Sequence, residues 1–524
     1  MADGKPEPAG NPFIPAKGPE LFIGLVSPVG ADLELICDTL DRELGKVNYN
    51  SHEVRLSTLI RSVEKYKNLK TGFEDDRIRS HMKAGTAIRE KVGRGDTLAL
   101  MSLAEIRKFR EEKTGDSNKR VENQAYIFRS LKHPEEVQSL RKIYGGMFLL
   151  ISAYSPRTRR VTRLSKVIAN SHGDGNSSKF LSVAEELVKI DEEEEGKKLG
   201  QDVSDAFPMA DFFINPKSRQ HVTKEIGRFV EIVFGHPFHT PRKPEMGMFL
   251  AKSAALRSAD LSRQVGAVIS NSFGDVISIG CNDVPAAGGG QYWPESDTDE
   301  RDFQVGSDSS ADFKRKIIKQ VVEKFHANGL FSNQIAKLTS DQATDWMLIG
   351  EGKKFFKDAE IFNLLEFGRP VHAEMAAITS ASRLGLSTKD SILYSTTFPC
   401  HMCARHIISA GIKTVEYIEP YPKSKVEDLY SDSVSLDEDD PSEKKVNFVA
   451  FEGIAPGRYS ELFSKVERKD KKGKAVDWTA RNALPKISNI ITGALVMEEK
   501  ALAFVVELLS QKKISLVSNK EGPT

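Results

Sequence analysis

Two short runs carry side chains suited to metal-assisted hydrolysis: His372-Ala373-Glu374 and Phe398-Pro399-Cys400-His401-Met402-Cys403. One imidazole and two thiols make three soft ligands, the number a catalytic zinc takes when it keeps a fourth position for water. A zinc ion in such a site lowers the pKa of that water far below its bulk value, toward about 7. Glu374, two residues past His372, can reach the water without being a ligand and can carry its proton to a substrate. A structural zinc knuckle and a simple thiol pair are the competing readings. The knuckle wants a fourth protein ligand, and neither gives Glu374 a task.

The flanking sequence supplies elements to hold these groups. Residues 374–378 read as a helix start, residues 403–410 as a second helix, and residues 392–397 as a β-rich run leading into Pro399. The imidazole and thiols then sit at two helix N-termini, whose positive ends favour thiolate and hydroxide. The pattern His-x-Glu…Pro-Cys-x-x-Cys resembles the signature of zinc-dependent nucleobase deaminases. Upstream, residues 263–269 (Arg-Gln-Val-Gly-Ala-Val-Ile) form a strand, residues 275–280 its hairpin partner, and Asn282-Asp283-Val284-Pro285 follows. With Ala410-Gly411-Ile412-Lys413 downstream, this half resembles the deoxycytidylate deaminases.

That resemblance implies a cytidine-deaminase-like α/β/α domain, Zn2+ held by His372, Cys400 and Cys403, and Glu374 as the catalytic acid and base. It also implies that Asn282 bonds the deoxyribose, a turn asparagine before proline being the alternative, and that Arg263 contacts substrate. Lys423 and Ser424, beyond the strand at residues 412–418, are candidate phosphate contacts or parts of a surface loop. A long insert, residues 286–370, replaces the short spacer usual in the family. It contains a helical stretch at 311–326, and either a lid or an oligomer contact would suit it. Arg301 and Arg369 in the insert offer guanidinium forks that fit phosphate, with structural ion pairs as the alternative.

The N-terminal half opens on a buried-type strand at 21–26, a turn Ser27-Pro28-Val29-Gly30-Ala31-Asp32, and a helix from Leu33. Strand, glycine turn and helix are the parts of a phosphate-binding P-loop. Gly24 and Gly30 stand one residue too far apart, and Ala31-Asp32 replaces the Lys and Ser/Thr the motif requires. Nucleotide binding around Gly24, Ser27, Gly30, Ala31 and Asp32 remains the expectation, without ATP hydrolysis. Strand 125–130, helix to 143, Gly145-Gly146 and strand 147–153 follow in βαβ order, which implies a parallel sheet. This layout resembles deoxynucleoside monophosphate kinases. Residues 156–169, with Arg157, Arg159, Arg160, Arg163 and Lys166, stand where a kinase lid would, or form a solvated basic helix.

The expected fold is therefore α/β: a tail at 1–19, a degenerate P-loop nucleotide-kinase-like domain at 20–240, a deaminase domain at 245–465, and an extension at 466–524. Over residues 20–465 the chain resembles bacterial anti-phage deoxycytidine nucleotide deaminases. The resemblance implies conversion of dCTP and dCMP, a regulatory nucleotide or inhibitory RNA at the N-terminal domain, and a homo-oligomer. A housekeeping dCMP deaminase would need no large kinase-like domain. A polynucleotide editor would want a basic or aromatic track, whereas 75 basic and 74 acidic residues leave a net charge of +1. No apolar run approaches the ~18 residues that span a bilayer. The four cysteines, two of them assigned to zinc, suggest no disulfide framework. No membrane and a cytoplasmic location are expected.

Overall fold

The computed structural model describes residues 18–194, 199–332, 335–356, 359–364, 366–419, 424–436, 440–487 and 492–517. The chain divides into two compact units, Met1–Glu245 with Phe451–Thr524, and Met246–Ala450.

The first unit is built on the strands Leu21–Val26 (β1), Asn50–Arg55 (β2), Gln124–Leu131 (β3), Phe148–Ala153 (β4) and Phe212–Ile214 (β5). They lie in the order β5-β4-β1-β3-β2, all parallel. Every residue of β1 and β4 is buried, as parallel strands covered on both faces require, which is why they read as unbroken apolar runs. Connecting helices include Leu33–Lys46 (α1), Glu74–Val92 (α2), Thr97–Thr114 (α3), Pro134–Tyr144 (α4), Arg157–Ser171 (α5) and Arg219–Val233 (α6). The chain leaves β1 toward β2 and β3, then crosses to the other side for β4 and β5. Open α/β sheets form ligand crevices at the carboxyl ends of their strands where the direction reverses in this way.

The basic helix α5 is amphipathic: Arg157 and Lys166 are exposed on one face, and the other face is packed. Val161, Leu164 and Ile168 pack with Leu187 and Val188. Arg160 is buried and paired with Glu192 at 2.8 Å.

The far end of the chain completes this unit, which corrects the division expected from sequence. Gly453–Ile454 adds an antiparallel strand to β5. Asp211 accepts from the backbone N–H of Leu150 at 2.7 Å and from Arg458 Nε at 3.1 Å. In the last helix, Thr492–Gln511, the buried Glu498 meets Arg110 of α3 at 2.5 Å; Arg110 also grips Glu20 at 2.7 Å. Residues 451–465 therefore do not close the deaminase domain, and 466–524 is no separate extension. Met246–Ala450 is a domain inserted into another, and the earlier boundary falls at 245/246 instead of near 240.

The second unit has the strands Gly266–Ser270 (β6), Val276–Cys281 (β7), Ile392–Thr397 (β8), Thr414–Glu419 (β9), Val434–Ser435 (β10) and Val446–Ala450 (β11), in the order β10-β11-β9-β8-β6-β7. β6 is antiparallel to β7 and β8; the remaining pairs are parallel. The insert contributes Ser309–Ala327 (α7) and Ser340–Leu348, which bury Ile318, Val322 and Ala343 in a small core of their own. Two helices bear on the site, Ala373–Arg383 (α8) and His401–Ser409 (α9). No helix among the described residues is long and apolar enough to cross a membrane.

Candidate active site

Helix α8 lies directly on the β6–β7 hairpin because Gly280 has no side chain. A Cβ there would stand 2.2 Å from the Ala373 carbonyl oxygen. Ser278 Oγ donates to the Ala377 carbonyl at 2.8 Å and fixes the helix lengthwise. A two-way backbone bridge between Asp283 and Val371 ties the end of β7 to the residue before His372. His372 thus becomes the N-cap of α8 and Glu374 falls in its first turn, while Cys400 is the N-cap of α9 and Cys403 its first turn.

These four groups converge. His372 Nδ1 is 3.3 Å from both Cys400 Sγ and Cys403 Sγ, and the three donor atoms lie within 4.8 Å of one another. No other cluster of three such residues occurs among the described residues. Glu374 is buried, with Oε2 3.4 Å from Cys403 Sγ and Oε1 3.5 Å from Ser395 Oγ. The Cys400 thiol is drawn down to about 4, first by its hydrogen bond with Cys403 and, against the effect of burial, by His372. Its hydrogen bond to His372 in turn raises the imidazole to about 9. Cys403 is held well above its usual range by its hydrogen bond with Cys400 and by burial. Burial pushes the Glu374 carboxyl upward. Three soft donors at this separation, one already favouring thiolate beside a helix N-terminus, fit a tetrahedral cation with one open corner.

A cavity of about 340 Å³ opens on this cluster, lined by His372, Glu374, Cys400, Phe398 and Thr397. Asn282 reaches it, but much of its amide is committed. Its Oδ1 accepts from the Val265 N–H at 2.7 Å and its Nδ2 donates to the Arg263 carbonyl at 2.8 Å, leaving one hydrogen and one lone pair. Arg263 lines the cavity. Ser424 is not among the residues that do; it donates its hydroxyl to the Pro399 carbonyl at 3.0 Å and so braces the turn before Cys400. Lys423 lies outside the described residues. Arg301 pairs with Asp299 at 2.6 Å and Arg369 with Asp302 at 3.0 Å, as the ion-pair reading of both had it.

Sequence reasoning missed Lys314. It comes from the insert helix α7 to the cavity wall and has no ion-pair partner among the described residues. Three aspartates share that wall and each is engaged. Asp302 holds Arg369, Asp308 caps α7 through the Ser310 N–H at 2.8 Å, and Asp260 accepts the Ser262 N–H at 2.8 Å.

The loop after β1, in the first unit, differs from the expected phosphate cradle. Gly24 sits inside β1, where a Cβ would meet Leu131 at 2.6 Å and Phe148 at 2.7 Å; it serves sheet packing and is no part of a loop. Gly30 does take the left-handed conformation, with φ +89°. The Val29 N–H donates to Asp191 at 2.7 Å, and Lys132 Nζ donates to the Ser27 carbonyl at 2.8 Å. Ala31 is buried. Asp32 caps α1 through the Leu35 N–H at 3.1 Å and pairs with Arg163 at 2.7 Å.

Residues 241–419 match the family model described as the cytidine and deoxycytidylate deaminase zinc-binding region. This match contains all four converging residues but less than half of the chain. ComE operon protein 2 of Bacillus subtilis (strain 168) is 39% identical over 92 residues, 16% of this chain and 49% of that protein. Deoxycytidylate deaminase of Enterobacteria phage T2 is 44% identical over 55 residues, 10% of this chain and 29% of that protein. The chain therefore spans about half, or less, of the length of these curated relatives. A structure of dCMP deaminase from the cyanophage S-TIM5 in complex with dCMP and dUMP is 15% identical, with a TM-score of 0.22, covering 41% of this chain and 100% of that one. The metal of this zinc-binding region is Zn2+, and the His372, Cys400 and Cys403 donor set suits it.

Proposed function

We propose that the inserted unit hydrolytically deaminates deoxycytidine nucleotides, taking dCMP to dUMP and dCTP to dUTP with release of ammonia. The observation that carries this is Glu374: a buried carboxyl 3.4 Å from Cys403 Sγ, at the floor of a substrate-sized cavity and outside the three-donor set. A structural metal site would have no use for it.

Zinc, held by His372, Cys400 and Cys403, would supply a water of lowered pKa. Glu374 accepts a proton from the attacking water and delivers it to N3 of cytosine, leaving C4 open to attack. The same carboxyl then shuttles a second proton to the departing amino group, so that water and cytosine become uracil and ammonia. Phe398 offers its ring to the base, and the remaining hydrogen and lone pair of Asn282 suit the deoxyribose. Lys314 and Arg263 bring positive charge to the wall where a 5′-phosphate would lie.

The test is a substrate panel of dCMP, dCTP, deoxycytidine, CMP and single-stranded DNA, read by uracil formation. Turnover confined to the deoxycytidine nucleotides is expected, and turnover of the polynucleotide alone would overturn the reading. Depletion of the dCTP pool in phage-infected cells, restraint by an RNA partner and homo-oligomer assembly belong to the same proposal, since the whole-chain resemblance implies them. They are tested by phage plating with the wild type and a Glu374→Gln variant, by RNA co-purification, and by mass in solution.

A further inference from the structure

The last helix of the first unit, Thr492–Gln511, is apolar on its outward face as well as its inward one. We propose that the outward face pairs antiparallel with the same helix of a second copy of this chain, about a two-fold axis at Ala503. The whole-chain resemblance implies a homo-oligomer without a surface. This proposal supplies one in the first unit and does not rest on the deaminase reading.

On the inward face Glu498, Val505 and Leu509 are buried, and Glu498 meets Arg110. An outer helix then ordinarily carries charge on its opposite side. Helix α3, on which the last helix packs, does so with Glu105, Lys108, Glu111 and Glu112 exposed. The last helix instead exposes Val496, Met497, Phe504 and Val506, each 41–50% open, together with Ala503. Arg94 covers one face of the Phe504 ring at 5.1 Å.

Lys500 and Glu507 stand within this apolar face. Ion pairs along one helix form between residues three or four apart. Those positions hold Val496, Met497, Ala503 and Phe504 about Lys500, and Ala503, Phe504, Ser510 and Gln511 about Glu507. Neither charge has an ion pair among the described residues; Glu507 accepts from the Gln511 amide at 3.0 Å. The two charges are two turns apart, about 10 Å, too far to meet each other.

A second helix running antiparallel about Ala503 brings each Lys500 to the other copy's Glu507, and the apolar side chains of the two copies together. A parallel partner would set lysine beside lysine and glutamate beside glutamate. The seven-residue offset therefore fits an isologous two-fold contact, and opposite charges across such a seam fix its direction and register. Ala503 at the crossing has no bulk to hold the axes apart. A membrane surface fits less well, because it wants Lys and Arg along the apolar face, where this helix places Glu499 and Glu507.

The experiment is sedimentation velocity of the full chain over a wide range of concentration. Wild type should assemble as a dimer or a multiple of one. Lys500→Glu and Glu507→Lys, both at exposed positions, should each halve the assembled mass or raise its dissociation constant roughly tenfold or more. The double reversal, Lys500→Glu with Glu507→Lys, should restore wild-type assembly. A short bismaleimide should join Ala503→Cys chains in pairs and leave wild type unjoined, since the four native thiols are buried. Zinc content of each variant reports the inserted unit separately, so failure of this surface and failure of the deaminase reading are distinguishable. A wild-type chain that stays monomeric at every concentration would overturn the proposal. So would single reversals that assemble as wild type does, a double reversal no better than the singles, or Ala503→Cys chains that never join.

Discussion

At the scale of single residues, His372, Glu374, Cys400 and Cys403 were legible because each sits at an N-cap or in a first turn, positions that a few neighbouring residues determine. Replacing Cys403 by Ser should remove zinc and activity together, since a fully buried hydroxyl is a poor substitute for a thiolate between His372 and Cys400. Metal analysis of the purified variant checks this, and a retained ion would argue against the three-donor set. Lys314 was not legible. Nothing in residues 311–326 distinguishes it from Lys316 or Lys319, and only the packing of the insert turns it toward the cavity. We expect Lys314→Gln to raise KM for dCMP by roughly tenfold with kcat little changed, as loss of one charge-assisted phosphate contact should. A fall in kcat with constant KM in steady-state kinetics would deny it that role. Ser424 misled for the opposite reason: its position beyond a strand suggested phosphate, but its hydroxyl is already engaged with the Pro399 carbonyl.

Among the elements, the buried parallel strands announced themselves as apolar runs, and the β6–β7 hairpin and the insert helix lie where the periodicity predicts. β2 gave no such signal. Its sequence Asn-Ser-His-Glu-Val-Arg buries only Val54, and it exists because its backbone pairs along its length with β3. Helix α8 depends on one contact that sequence could not show, the close approach over Gly280. Gly280→Ala should force the helix from the hairpin, at a cost of about 1–3 kcal/mol, and carry His372 and Glu374 with it. Lower thermal stability together with weaker zinc retention is expected in a melting and metal-competition experiment. Zinc retained as in the wild type would mean that the hairpin does not set the position of His372.

For the whole molecule, the inserted arrangement was the least legible feature, because the partners of the C-terminal segment lie hundreds of residues earlier in the chain. The lysine-rich stretch at 466–474 reads as a trailing extension, yet the helix beyond it supplies one of the two carboxylates of a buried Arg110. Glu498→Gln leaves Arg110 paired with Glu20 but weakens its two charge-assisted bonds to residue 498, so it should destabilise the first unit by about 1.5–3 kcal/mol. Chemical denaturation should show this as a lower midpoint, while the zinc content of the folded protein stays at the wild-type level. An unchanged midpoint would mean that Glu20 alone suffices for Arg110. The central claim, that three donors hold zinc while a separate carboxyl moves the protons, is tested most directly by Glu374→Gln in the full chain, assayed for metal and for ammonia in one preparation. The account predicts zinc at the wild-type level and ammonia release from dCMP reduced by about 10²-fold or more. Turnover comparable to wild type, or a wild-type protein that holds no zinc, would contradict it.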